Sequence, residues 1–122
     1  MVRRFFKRFT QDEGERRAEN IRQWAASVPG VTLISEAQPR AVVRVAGVVE
    51  GLRVRPREGV PAIEALIGDG SGQVTAVWLG RRQISGLMLG ARVIVEGRLG
   101  GDAGHLLVMN PKTEFAAPAA ES

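Results

Sequence analysis

Apolar residues Ala18, Ile21, Trp24, Ala25 and Val28 recur at three- and four-residue steps, the period of one face of an α-helix. Thr10-Gln11-Asp12-Glu13 has the form of a capping box ahead of that stripe, so the helix is expected to open at Thr10. Pro29-Gly30 is expected to close it, because proline adds no amide to the ladder and glycine tolerates the reversal. From Arg40 the pattern changes to β-branched runs broken by glycine, which predicts five short strands. The first spans roughly 41–53, with Gly47 and Gly51 where a strand can bulge or bend. The second, about 61–68, and the third, about 73–79, form a hairpin around Gly68-Asp69-Gly70-Ser71-Gly72. The fourth, Ala91 to Leu99, alternates Val93, Val95, Gly97 and Leu99 against Arg92, Ile94, Glu96 and Arg98, and the fifth is His105 to Met109. Between Gly80 and Gly90 there is room for a connector of one or two helical turns.

Five strands with no long crossover helix point to an all-β core, a small antiparallel Greek-key barrel, with an N-terminal amphipathic helix. Three segments follow: residues 1–39 as a basic arm and helical extension, 40–115 as the barrel, and 116–122, Ala-rich with nothing to bury, as a disordered tail.

Composition narrows the class of protein. The 122 residues suffice for one modest core, and 44% hydrophobic with 25% charged residues is ordinary globular usage. The absence of cysteine excludes disulfides, iron–sulfur clusters and thiolate zinc, and fits a reducing compartment. Met1 to Phe9 contains no apolar run long enough for a signal peptide or a membrane span, so a cytoplasmic protein is expected. The net charge of +4 is uneven: residues 1–9 carry +4, 10–39 carry −2, 40–100 carry +4 and 101–122 carry −2. Arginine dominates the basic residues, which suits phosphate binding.

Val45-Ala46-Gly47-Val48-Val49, Leu66-Ile67-Gly68-Asp69-Gly70-Ser71-Gly72-Gln73-Val74 and Val93-Ile94-Val95-Glu96-Gly97-Arg98-Leu99 resemble the OB-fold nucleic-acid-binding domain family, over about residues 40–110. The Asp-Gly-Ser-Gly turn, with the Val-x-Val-x-Gly fourth strand after it, is similar to anticodon-binding-type OB domains. Val77 to Gly86 together with Asn110-Pro111 resemble a group of small, stand-alone actinobacterial OB-fold proteins with a helical N-terminal extension. The resemblance implies an oligonucleotide lying across strands two and three, flanked by the loops that join strands one to two and four to five.

The first of those loops would carry Arg53-Val54-Arg55-Pro56-Arg57, where alternation sets Arg53 and Arg55 on one side of an extended segment. Such a track can contact phosphates, or be a solvated loop partly neutralised by Glu50 and Glu58. The second loop, Gly100 to Gly104, is flexible and slightly acidic. Trp78 on strand three can stack on a base if exposed, yet its alternation partners Val74 and Ala76 equally place it in the core. Arg81 and Arg82 flank the expected groove, and Arg44 and Arg98 face outward within reach of phosphate or as plain surface. His105 has no ligand partners for a metal, and Asp69 reads as a turn residue.

No nucleophile, carboxylate pair, phosphate loop or deaminase signature is present, so neither an enzyme nor a cofactor is expected. The arm Arg3-Arg4-Phe5-Phe6-Lys7-Arg8-Phe9 suits docking on the barrel, nucleic-acid stacking or an anionic membrane surface. The expected function is binding of single-stranded DNA or RNA with little sequence preference, through Arg44, Arg53, Arg55, Arg57, Trp78, Arg81, Arg82 and Arg98. The alternatives are a protein-interaction or membrane-peripheral module attached by the arm, and a subunit that meets nucleic acid only in a larger assembly.

Overall fold

The computed structural model describes residues 2–102 and 104–116, with side chains from Gly14 onward. Helix α1 runs Val2–Ser27, straight through Thr10, so the helix does not open at the expected capping box. It ends where the sequence places its stop: the Ser27 hydroxyl donates to the Trp24 carbonyl at 2.6 Å, and Gly30 takes φ +78° three residues on. The arm residues 3–9 belong to this helix, but their side chains lie outside the described residues, as does the tail 117–122.

A 3-10 turn, Ile34–Glu36, leads into six strands: β1 (Val42–Arg57), β2 (Val60–Gly68), β3 (Gln73–Leu79), β4 (Arg92–Asp102), β5 (His105–Met109) and β6 (Lys112–Phe115). The first five form a ring, in which β1 pairs with β2, β2 with β3, β3 with β5, β5 with β4, and β4 with β1. Four of these contacts are antiparallel. The β3–β5 pair is parallel, which departs from the wholly antiparallel arrangement expected. β6, absent from the expected elements, continues beyond the bend at Asn110-Pro111 and pairs with β4.

Three connections differ from expectation. Residues 53–57 are not a loop: β1 continues through them, and Glu58-Gly59, both at positive φ, closes a two-residue hairpin between Arg57 and Val60. Pro56 is tolerated because β1 pairs with β4 only through Val48, which leaves its far half with one unpaired edge. The connector 80–90 holds no helical turn. Two β-turns bridge it instead, with Leu87 N–H donating to Ile84 C=O and Ala91 N–H to Met88 C=O, each with a positive-φ glycine, Gly86 or Gly90, at its third position. The 100–104 segment is mostly strand, since β4 reaches Asp102 and pairs there with His105.

Inside the ring lies one apolar core. Val45 and Val49 from β1, Ile63, Ala65 and Ile67 from β2, Val74 and Ala76 from β3, Val93, Val95 and Leu99 from β4, and Leu106 and Val108 from β5 interdigitate there, and Ile34 joins them from the 3-10 turn. The alternation read for β4 holds, with a refinement: Ile94 faces outward and packs with Ala46 and Ala25, seating α1 on the outside of β1 and β4. The Asp69 turn is fastened to the rest of the molecule. Its carboxylate accepts from Ile34 N–H at 2.8 Å, Ser71 N–H at 2.8 Å, the Ser71 hydroxyl at 2.7 Å and Gly72 N–H at 3.1 Å. Arg22 of α1 donates to the Gly70 carbonyl at 3.0 Å from the other side.

Candidate nucleic-acid interface

In β1 the inward residues Val43, Val45 and Val49 sit at odd positions, and strict alternation would send Arg53 and Arg55 into the core. A bulge prevents this. The register steps from Val49↔Ile67 to Gly51↔Leu66, leaving Glu50 without a partner and reversing the parity of the rest of the strand. Arg53, Arg55 and Arg57 therefore share the outer face with Leu66, Glu64, Ala62 and Val60 of β2, while Ile63 and Ala65 point inward. The expectation that Arg53 and Arg55 lie on one side is met, and Arg57 joins them.

The partner of these arginines is neither Glu50 nor Glu58. Glu50 accepts from the Gln73 side chain, whereas all three guanidinium groups converge on Glu64. Arg53 Nε reaches Oε1 at 3.0 Å, and Arg55 Nε and Arg57 Nη1 reach Oε2 at 3.1 and 3.0 Å. Glu64 is only 5% exposed, while Arg53 and Arg55 remain 62% and 52% exposed, so the carboxylate is roofed by cations that themselves face water. Burial pushes the Glu64 carboxyl up, but hydrogen bonds from Arg55 and Arg53 and their charges outweigh it and hold the group below the ordinary glutamate range. Sequence reading missed Glu64, because its only signal was a charged residue inside an apolar strand, Ala62-Ile63-Glu64-Ala65-Leu66.

Beside this cluster a groove of 290 Å³ crosses four strands, lined by Gly51, Leu52 and Arg53, Glu64 and Leu66, Thr75, and His105. His105, at the start of β5, is exposed at the edge of the groove. A second hollow, of 370 Å³, lies at the hairpin tip, where Arg82 from the connector lines it together with Val54, Arg55 and Pro61. A larger cleft of 480 Å³ between the connector and Phe115 is mostly apolar, and its one cation, Arg92, stacks over the Trp24 ring at 5.1 Å.

The remaining expected residues separate. Trp78 is 7% exposed within the core and its indole N–H donates to the Thr113 hydroxyl at 3.2 Å, so it offers no face for stacking on a base. This corrects its place among the binding residues; the apolar parity of Val74 and Ala76 was the better guide. Arg44 is outward but occupied by Glu96, Glu114 and the Pro29 carbonyl. Arg98 is exposed and donates to the Arg40 carbonyl at 2.6 Å. Both stand away from the row, on the part of β1 and β4 that carries the helix. Arg81 is exposed on the connector next to Arg82.

Among the described residues, no cluster of three or more His, Cys, Asp or Glu side chains is placed to hold a metal, and no helix is long and apolar enough to cross a membrane. No protein-family model matches the chain, and no curated protein matches it.

Proposed function

We propose that the chain is an OB-fold protein of the cytoplasm that binds single-stranded DNA or RNA with little sequence preference, along the outer face of β2 and β3 and the arginine row of β1. No enzymatic step is part of this reading. The neighbour order β4-β1-β2-β3 is that of a Greek key, and a five-stranded ring of that kind supports the OB-fold assignment even without a helix between β3 and β4. The observation that carries the function is the row Arg53, Arg55 and Arg57, set on one face by the bulge and adjoining the groove at Gly51, Leu66 and Thr75.

Residues two apart on a strand stand about 6.7 Å apart, a spacing that lets successive guanidinium groups meet successive phosphates of an extended strand. The outward positions of β2, β3 and β5, from Val60, Ala62, Glu64 and Leu66 through Thr75, Val77 and Leu79 to His105, Leu107 and Met109, include no Phe, Tyr or Trp. Base stacking therefore contributes little, and binding rests on phosphate contacts, which do not read sequence.

The test is fluorescence anisotropy with a labelled mixed-sequence strand of about 20 nucleotides. Three phosphate contacts give a slope of roughly −2 in log affinity against log salt, so affinity should fall roughly twentyfold between about 50 and 200 mM salt. Arg55→Glu should weaken binding strongly and Trp78→Phe should leave it unchanged. Absence of binding to both DNA and RNA, or affinity indifferent to Arg55→Glu, would overturn the reading.

A further inference from the structure

We infer that Glu64 is a positioning residue for this interface: its carboxylate aligns Arg53, Arg55 and Arg57 for consecutive phosphates before any ligand arrives. The inference rests on the nucleic-acid reading above and adds to it a residue that carries the wrong charge for contact with a phosphate. One carboxylate meets three guanidinium groups at 3.0 to 3.1 Å, dividing them between its two oxygens. It takes Arg53 and Arg55 through Nε, which leaves both terminal amino groups of each outside the contact. An arginine has five donors in a fixed fork, so one bond to Glu64 orients the fork without exhausting it.

Without Glu64, three like charges at two-residue steps repel and each long side chain samples many rotamers. A phosphate strand would then have to order them at binding. With Glu64 in place that ordering accompanies folding, and the cluster keeps two net positive charges, three arginines less one glutamate. Glu64 thereby lowers the charge of the face while raising its readiness, and the two effects oppose each other in sign.

The sign is what an experiment reads. Glu64→Gln removes the one negative charge of the cluster, raising the net charge of the face by one, but weakens the hold on the row; Glu64→Asp keeps the charge and withdraws the carboxylate by one methylene. If Glu64 positions the row, both variants bind the 20-nucleotide strand about tenfold more weakly than wild type, because three side chains must be ordered during binding, and melting temperatures confirm that each is folded. Tighter binding by Glu64→Gln with unchanged binding by Glu64→Asp means that the residue only neutralises charge, and overturns the inference while leaving the nucleic-acid reading standing. A wild-type chain that binds neither DNA nor RNA overturns the underlying reading and the inference together. Should the variants not fold, the Nε–H resonances of Arg53 and Arg55 in the wild-type protein decide the matter: slow exchange with water is expected, and rapid averaging overturns the positioning role.

Discussion

Glu64 and Asp69 are the two buried carboxylates of the molecule's described part, five residues apart on either side of the end of β2, and they are held in opposite ways. Asp69, 1% exposed, is surrounded by backbone amides and one hydroxyl, from Ile34, Ser71 and Gly72, with no cation among its bonded partners. Glu64, 5% exposed, accepts from three guanidinium groups that stay in water. Amides belong to the chain's own path, so a carboxylate satisfied by them fastens one segment to another: Asp69 ties the 3-10 turn to the β2–β3 turn, over which Ile34 enters the core. Solvent-facing cations can be shared with a ligand, so a carboxylate satisfied by them organises a surface. The difference teaches that the partners of a buried charge, more than its burial, separate a carboxylate that ties segments together from one that orders surface cations.

The comparison is most exposed to Asp69→Ala. That change strands the amides of Ile34, Ser71 and Gly72 and should cost roughly 3 kcal/mol or more of stability, read from urea unfolding. A loss no larger than that of Glu64→Gln would erase the distinction. Gly70→Ala tests the same turn from outside. Gly70 has φ +86°, and a Cβ there would lie 2.5 Å from the Ala18 carbonyl oxygen, so the helix must shift or the turn must strain. The expected cost is about 2 kcal/mol, seen as a lower melting temperature, with the proposed nucleic-acid affinity unaltered in the folded fraction.

Glu64→Gln should be the mildest at neutral pH. Two of its three partners are more than half exposed and screened by water, so the stability change is expected to stay within about 1 kcal/mol. Its signature lies in acid. The folded carboxyl is held below its ordinary range, so the unfolded chain binds more protons there and stability rises with pH. The contribution is whole above the unfolded glutamate value of about 4.3 and is lost as pH falls through the lower folded value. Urea midpoints compared between about pH 7 and pH 3 should therefore show the wild type approaching Glu64→Gln as acid is added. A difference that widens in acid would reverse the assigned sign.

Much of the fold was legible in local pattern. The stripe Ala18, Ile21, Trp24, Ala25 and Val28 marks the helix, and the Gly68–Gly72 turn marks the β2–β3 hairpin, because helical period and turn chemistry act over a few residues. The inward parity of Val74 and Ala76 indicated a core Trp78, and burial agrees. Less legible was Glu58-Gly59, a hairpin turn whose glutamate is an uncommon occupant of a positive φ. Its disguise made the Arg53–Arg57 strand read as a loop.

Composition and periodicity alone determined a β-rich chain with an N-terminal helix, the five strands of the ring, and an arginine cluster after the first bend. Which way that cluster faces, and what it rests on, were decided only when the strands paired. The bulge at Glu50 is a property of register between β1 and β2, and it turns Arg53, Arg55 and Arg57 outward against the parity of Val45 and Val49. Glu64 lies between seven and eleven residues away from them in the chain and meets them only across that ladder. Side-chain alternation is local, but the phase of alternation and the identity of a cross-strand partner belong to the pair of strands.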